Sequence, residues 1–412
     1  MLLAKPVIQN KQVDTTFVRP NIPLVIQKKI GEINWEEISP KLLRVGCGLV
    51  LAGLLVAGLW PFHSPKNQVR WDARGKGLHF GRHGTILSSG KFKGADVPAG
   101  VPCSLEIWLK PDLTGGGGAL FAFYAPENPR QFSLRQSISD LLMESDLRVG
   151  RYRTSTAKLY NGDIFRQGKL LFVTVTAKGE QASIYIDGVL AAATPKFPLS
   201  SRDFEGELVV GSLPRVDDSW SGVLRGLAFY YQELSPAEVL HHYKTWKEKG
   251  RPDVSANERA VALYLFDERS GRVIHNQVAS GIDLYIPDRY LVLDQVLFLP
   301  FWKEFHPSRD YLEDVLVNIA GFIPCGFLFC AYFSLAARIK RPALATILLG
   351  FTISFTIEFL QSFLPTRDSG TTDLFTNTLG TSIGVWFYRL NFWRTFSARL
   401  WTLLGLEGQT PG

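Results

Sequence analysis

The stretch "LLFVTVTAKGEQASIYIDGVLAAAT" at 170–194 decides the fold of the largest part of this chain. Apolar and polar residues alternate through "FVTVT" and "SIYI", the period of a half-buried strand. Asp187 and Gly188 lie between two apolar runs, and a two-residue hairpin turn needs positive φ at both of its central positions, which this pair tolerates. Working outward, the same pattern recurs in "CSLEIWLKP" (103–111), "GALFAFYA" (118–125), "GELVVGS" (206–212) and "GVLRGLAFYYQEL" (222–234), separated by turns rich in Gly, Pro, Asn and Asp. Residues 68–250 are therefore expected to form an antiparallel β-sandwich.

Taken in order, "SLEIWLKP", "FVTVTAKGEQASIYIDGVL", "GELVVGS" and "WSGVLRGLAFYYQELSPAEVLHHY" resemble the laminin-G-like, concanavalin A-like jelly-roll sandwich domains. The closing piece is the most specific, a strand followed by a Leu-Ser-x-x-Glu turn into a short helix. Leu234, Ser235, Pro236 and Glu238 fit it, with Ser235 as helix cap, Pro236 in the first turn and Glu238 at the capping-box position. The resemblance implies binding of a glycan, a protein or calcium, and some relatives hydrolyse polysaccharides. Hydrolysis needs two close carboxylates flanking the glycosidic bond, and no E-x-D-x-x-E strand supplies them. Asp217 and Asp218 in "PRVDDSW" are weak candidates for a Ca2+ or ligand site; no other cofactor is expected. Residues 251–310 are expected either to add strands to the sandwich or to form a stalk. They end in "LVLDQVLFLPFW" (291–302), whose Phe298, Phe301 and Trp302 suit a collar at a bilayer surface.

Apolar residues cluster in four runs, 45–62, 314–337, 342–365 and 371–388, each read as a membrane span. The first has about forty residues ahead of it and no clean cleavage site after it, which marks an uncleaved anchor rather than a signal peptide. Basic residues gather at Lys28, Lys29, Lys41 and Arg44, at Arg338, Lys340 and Arg341, and at Arg389, Arg394 and Arg399. With four spans all three groups fall on one side, the cytoplasmic one. Residues 1–44 and the tail 391–412 are then cytoplasmic, 311–390 form a three-span membrane domain, and 63–310 with the loop "PTRDSGTTD" face outward. These clusters explain much of the net charge of +7 without nucleic acid as a partner. Four cysteines are too few for a disulfide framework, and their spacing suits no metal.

Two of the spans repeat one pattern, "DVLVNIAG" at 314–321 and "DLFTNTLG" at 373–380. Positions i, i+4, i+7 and i+11 share a helix face. They are Asp314, Asn318, Gly321 and Cys325 in one span, Asp373, Asn377, Gly380 and Gly384 in another, and Ser354, Glu358, Gln361 and Pro365 in the span between. An ionised carboxylate within a span costs roughly 2.5–3.5 kcal/mol on insertion scales, so these groups should face protein or a wet cavity. Glu358, the deepest, is expected to be protonated or paired, with Arg367 the nearest basic candidate. Asp314, Asn318, Glu358, Gln361, Arg367, Asp368, Asp373 and Asn377 together describe an outward-facing pocket. Simpler roles stand beside that one: Asp314 and Asp373 as helix caps, the Asn residues as interhelical hydrogen-bonders, and Gly321, Gly380 and Gly384 as packing sites.

"DVLVNIAGFIPCGFLF" and "TISFTIEFLQSFLPTRDSGTTDLFTNTLGTSIG" resemble the VanZ-like family of small bacterial membrane proteins. Asn318, Gly321, Phe322, Pro324 and Gly326 match its N-x-x-G-F-x-P-x-G span; Glu358, Gln361, Pro365 and Arg367 match I-E-x-x-Q with its following P-x-R; Asp373, Asn377 and Gly380 match D-x-x-x-N-x-x-G. The family is named for a protein linked to low-level teicoplanin resistance. The resemblance implies a multi-pass protein of the bacterial cytoplasmic membrane with a cell-envelope role. The expected function is binding: the sandwich takes a glycan or envelope protein, and the pocket takes a lipid headgroup or lipid-linked precursor. In it, Arg367 would meet a phosphate and Asn318, Gln361 and Asn377 would donate hydrogen bonds. The alternatives are an enzyme on that lipid with Glu358 as acid or base, although all seven His lie outside the predicted spans, and a purely structural adhesion or scaffold anchor.

Overall fold

The hairpin read at 170–194 forms as expected, with Ile186 paired to Val189 across a two-residue turn in which Asp187 and Gly188 have φ of 51° and 79°. The computed structural model describes residues 39–403 apart from 74–76, 94–99, 113–115, 127–129, 150–152, 167, 216, 279–280, 296, 306–308 and 368, so Lys28, Lys29, His306 and Asp368 lie outside the described residues.

Two antiparallel sheets face each other. One runs β1 (Val69–Trp71), β2 (Leu78–Phe80), β13 (Gly222–Tyr230), β4 (Cys103–Pro111), β9 (Leu171–Lys178), β10 (Gln181–Ile186) and β11 (Val189–Thr194), with β14 (Ala260–Tyr264) also paired to β13. The other runs β15 (Val273–Ile274), β16 (Leu284–Tyr285), β3 (Ile86–Ser88), β12 (Glu207–Val210), β5 (Gly117–Tyr124), β6 (Arg130–Ser137), β7 (Asp140–Val149) and β8 (Arg153–Asn161). The segment after residue 259 thus supplies strands to both sheets. Aromatic rings fill the space between them: Phe229 lies 5.0 Å from Phe123 and 5.1 Å from Phe204, all three fully buried. Rings at such offsets contribute about 0.5–1.5 kcal/mol per pair beyond the area they bury.

Helix α1 (Pro40–Leu59) precedes the sandwich and α2 (Pro236–Lys249) follows β13. The capping box of α2 is present, with Ser235 Oγ accepting from Glu238 N–H at 3.3 Å and Glu238 Oε2 accepting from Ser235 N–H at 2.6 Å. The inner face of α2 seals a polar cluster. His242 Nδ1 meets Glu106 Oε1 at 3.0 Å, His242 Nε2 meets Glu258 Oε2 at 3.0 Å, and Tyr230 donates to Glu106 Oε2 at 2.8 Å. Burial opposes a charge on His242, but the hydrogen bond and charge of Glu106, joined by Glu258, prevail and raise its pKa.

The chain enters and leaves the sandwich through one neck. Lys66 pairs with Arg289, Asn67 N–H donates to Asp288 O at 3.1 Å, and Tyr290 N–H donates to Pro65 O at 3.0 Å. Asn67 Nδ2 adds bonds to Thr85 O and Pro287 O. Beyond the neck stand α3 (Phe301–Glu304), α4 (Arg309–Leu335), α5 (Pro342–Gln361) and α6 (Thr371–Leu403).

Among the described residues, three helices are long and apolar enough to cross a membrane, Pro40–Leu59, Tyr311–Leu335 and Pro342–Gln361. The fourth expected span coincides with the first half of α6, which is long enough but too polar to count on composition, carrying five Thr, Asp373 and Asn377 between 371 and 388. Its polarity is spent against α4 and α5, both of which it packs on. The anchor ends at Leu59 rather than 62, because Trp60 precedes Pro61 and takes the extended backbone (φ −63°, ψ 130°) that a following proline favours. Leu49, Leu316, Leu348, Phe359 and Leu379 are exposed, an apolar surface of the kind that lipid covers.

Candidate functional site

The stripes on α4, α5 and α6 do face one another. With the end of α1 they enclose a cavity of about 480 Å³ lined by Asp314, Asn318, Glu358, Gln361, Arg367, Asp373 and Asn377, together with Leu54, Gly58, Gly321 and Thr366. It sits at the end of the bundle where α1 and α5 finish and α4 and α6 begin. Seven of the eight expected pocket residues line it, and the eighth, Asp368, is outside the described residues.

The repeat "D-x-x-x-N-x-x-G" is used differently in its two copies. A Cβ on Gly380 would collide with the backbone carbonyl of Ile319, so this glycine lets α6 lie directly against α4. At Gly321 a Cβ would meet nothing within 4 Å, because that position opens onto the cavity. One Asn reaches the Asp of the other copy: Asn318 Nδ2 on α4 donates to Asp373 Oδ1 on α6 at 2.7 Å. Asn377 Nδ2 donates to Ser354 Oγ on α5 at 3.0 Å, which ties the remaining stripe in.

Glu358 is buried, and its Oε2 accepts from the N–H of Gly370 at 2.9 Å, just before α6 begins. The expected pairing with Arg367 is not made. Arg367 instead donates through Nε and Nη2 to the carbonyl of Trp60, at 3.2 and 2.9 Å, where the helix end has left that oxygen without an intrahelical donor. Gln361 likewise reaches α1, donating through Nε2 to Gly58 O at 2.8 Å. These contacts make α1 a wall of the site. A further carboxylate, Glu304 on α3, caps α6 by accepting from Thr372 N–H at 3.0 Å and from the Thr372 hydroxyl. Neither α1 nor Glu304 was read into the site from sequence. Backbone carbonyls carry no sequence signal, and Glu304 is a lone acid in an aromatic segment.

Three lining atoms are buried without a hydrogen-bond partner: Gln361 Oε1, Thr366 Oγ1 and Asn377 Oδ1. Buried polar groups in folded proteins are nearly always paired, so their concentration in one cavity is informative.

On the sandwich, Asp217 and Asp218 do not converge on one point. Asp218 binds Arg135 Nη2 at 2.8 Å, and Asp217 lies 3.6 Å from His83 Nδ1 and accepts from Ser219 Oγ. Among the described residues no group of three or more His, Cys, Asp or Glu is placed to hold a metal ion. A smaller cavity of about 210 Å³ lies between α2 and its sheet, lined by Trp108, Phe172, Asp187, Tyr243, Trp246 and Lys247. It presents aromatic faces beside an acid and an ammonium group.

Comparison with known proteins finds a family match in each half of the chain. The family model VanZ/LLP1 matches residues 262–394, and that of the concanavalin A-like lectin/glucanases superfamily matches residues 88–240. Among solved structures the chain is similar to the heptameric SAP-like pentraxin of Limulus polyphemus, at 14% identity over 53% of this chain and 93% of that one, with a TM-score of 0.32. It is also similar to the IT-sialidase CBM40 of Ruminococcus gnavus bound to α2,3 sialyllactose, at 18% identity over 40% of this chain and 95% of that one, with a TM-score of 0.30. A third likeness, to the binding domain of botulinum neurotoxin DC, has 14% identity over 44% of this chain and 45% of that one, with a TM-score of 0.32. No curated protein matches the chain.

Proposed function

We propose, from the premise that this chain joins a VanZ-like membrane segment to a lectin-like sandwich, that it is a binding protein of the bacterial cell envelope. The sandwich takes a glycan or an envelope protein outside the cytoplasmic membrane. The cavity at the outer end of the bundle takes a lipid headgroup or a lipid-linked precursor.

One observation supports the lipid reading: polar residues from α4, α5 and α6 converge on a cavity that also holds, among the described residues, three unpaired buried polar atoms. A purely structural anchor gains nothing from that arrangement, since each unsatisfied group costs about 1–3 kcal/mol. Arg367, exposed and bonded to Trp60 O, is the group that would meet a phosphate. Glu358 balances charge beneath it. The described lining offers little for turnover: it has one hydroxyl, on Thr366, and no His or Cys beside Glu358.

Native mass spectrometry of the full-length protein and of Glu358→Gln and Arg367→Ala tests the reading. A phospholipid or polyprenyl phosphate adduct retained by the wild type and lost from the folded variants is the expected result. Equal lipid occupancy in all three would reduce the stripes to packing devices.

A further inference from the structure

Charge and hydrogen bonding in the cavity are lopsided. Three carboxylates line it, Asp314, Glu358 and Asp373, against one guanidinium, Arg367. A bare phosphate entering deeply would meet acidic groups rather than cations. The carboxylates are also only half used. Glu358 accepts from Gly370 through Oε2, and Asp373 accepts from Asn318 through Oδ1, leaving one oxygen of each without a donor among the described residues.

Gln361 adds the decisive direction. Its amide orientation is set by Gly58, whose carbonyl can only accept, so Nε2 must point there and Oε1 must point away. That oxygen is an acceptor with no donor, on a residue only 8% exposed that lines the cavity. Asn377, only 4% exposed, leaves Oδ1 in the same condition. Apart from the Thr366 hydroxyl, the unpaired buried groups of the described lining are acceptors, and a chemical group that supplies several N–H donors with a positive charge is a primary ammonium. Among the described lining residues the one cation is Arg367, which is exposed and bonded to Trp60 O.

We infer that the cavity is built for a zwitterionic headgroup bearing a primary amine, an ethanolamine-type phospholipid, whose ammonium lies among Gln361, Glu358, Asp373 and Asn377 and whose phosphate lies at Arg367. The inference rests on the headgroup reading above and narrows it. It also separates ethanolamine from choline: both carry a positive charge, but a quaternary nitrogen has no N–H to offer Gln361 Oε1. Leaving that acceptor unpaired corresponds to about a tenfold loss of affinity.

The test is competitive lipid retention by the full-length protein in detergent, read by native mass spectrometry. Equal amounts of palmitoyl-oleoyl phosphatidylethanolamine, phosphatidylcholine and phosphatidylglycerol are supplied. The ethanolamine lipid should be retained about tenfold over each of the others, and Gln361→Met should remove that preference. Gly321→Leu serves as the fold control, because it fills the cavity from an open position, and it should abolish retention at an unchanged melting temperature. Equal retention of ethanolamine and choline lipids, or preference for phosphatidylglycerol, overturns the amine inference while the headgroup reading stands. Retention that ignores both lipid type and Gly321→Leu reflects lipid on the outer surface of the helices and overturns both.

Discussion

At the scale of the residue, glycine and histidine mark the two places where a single side chain decides stability. Gly380→Ala forces a methyl group into the Ile319 carbonyl and should cost about 1–3 kcal/mol by overpacking, whereas Gly321→Ala projects into open space and should be near neutral; thermal unfolding of the two variants in one detergent separates them. His242 lies unexposed between Glu106 and Glu258, with a pKa raised above its ordinary 6.5. A raised folded-state pKa gives stability that is fully present below the unfolded value and lost as pH rises through the folded one. The sandwich should therefore melt at its highest temperature on the acid side of pH 6.5 with respect to this group, and progressively lower above it. His242→Gln, which strands two buried carboxylates, should cost about 3–5 kcal/mol and flatten that part of the pH profile. An unchanged slope in the variant would show that His242 is neutral in the fold.

At the scale of the element, legibility followed the pattern of burial. Strands β4, β9, β10 and β13 were readable because buried apolar residues mark them and Gly or Asp punctuates them. Strands β6, β7 and β8 were not singled out. Their sequences "RQFSLRQS", "DLLMESDLRV" and "RTSTAKLYN" are rich in polar residues, and what holds that polar side is a long-range pairing, Arg135 with Glu144 and Asp218 and Glu144 with Lys158. Cross-strand pairs of this kind depend on register, which no local pattern encodes. The stripes of the membrane helices were legible because helical spacing alone puts them on one face. Their partners on α1 were not, since main-chain oxygens belong to every residue. Helix α2 combines both kinds of information. Its capping box was legible, and Ser235→Ala should cost the sandwich about 1 kcal/mol, read as faster amide exchange across Pro236–Lys249. Its contribution of Tyr243 and Lys247 to the smaller cavity was not. If that cavity takes the sugar, a glycan array probed with the full-length protein should lose its signal on Trp108→Ala, while loss only on changes at the opposite sheet would move the site there.

At the scale of the whole molecule, orientation is directly testable because the four native cysteines are buried and unreactive towards bulky reagents. Ile138, 66% exposed at the tip between β6 and β7, offers a clean position. Ile138→Cys should be labelled by a membrane-impermeant maleimide in intact spheroplasts if residues 63–310 face outward. Labelling only after lysis would invert the topology and place the cavity on the cytoplasmic side.

The neck has a mechanical meaning of its own. A module on one flexible linker sweeps a volume set by the linker length and meets its neighbour at a correspondingly diluted effective concentration. Here Lys66 and Arg289 pair, Asn67 bridges to Thr85 and Pro287, and both strands of the connection run into spans of the same bundle. The sandwich is joined to the helices by a double stem, which restricts its swing more than a single linker would. On the proposed reading, an envelope polymer held by the sandwich would be kept at a constant standoff from the cavity, like a workpiece in a fixed jig.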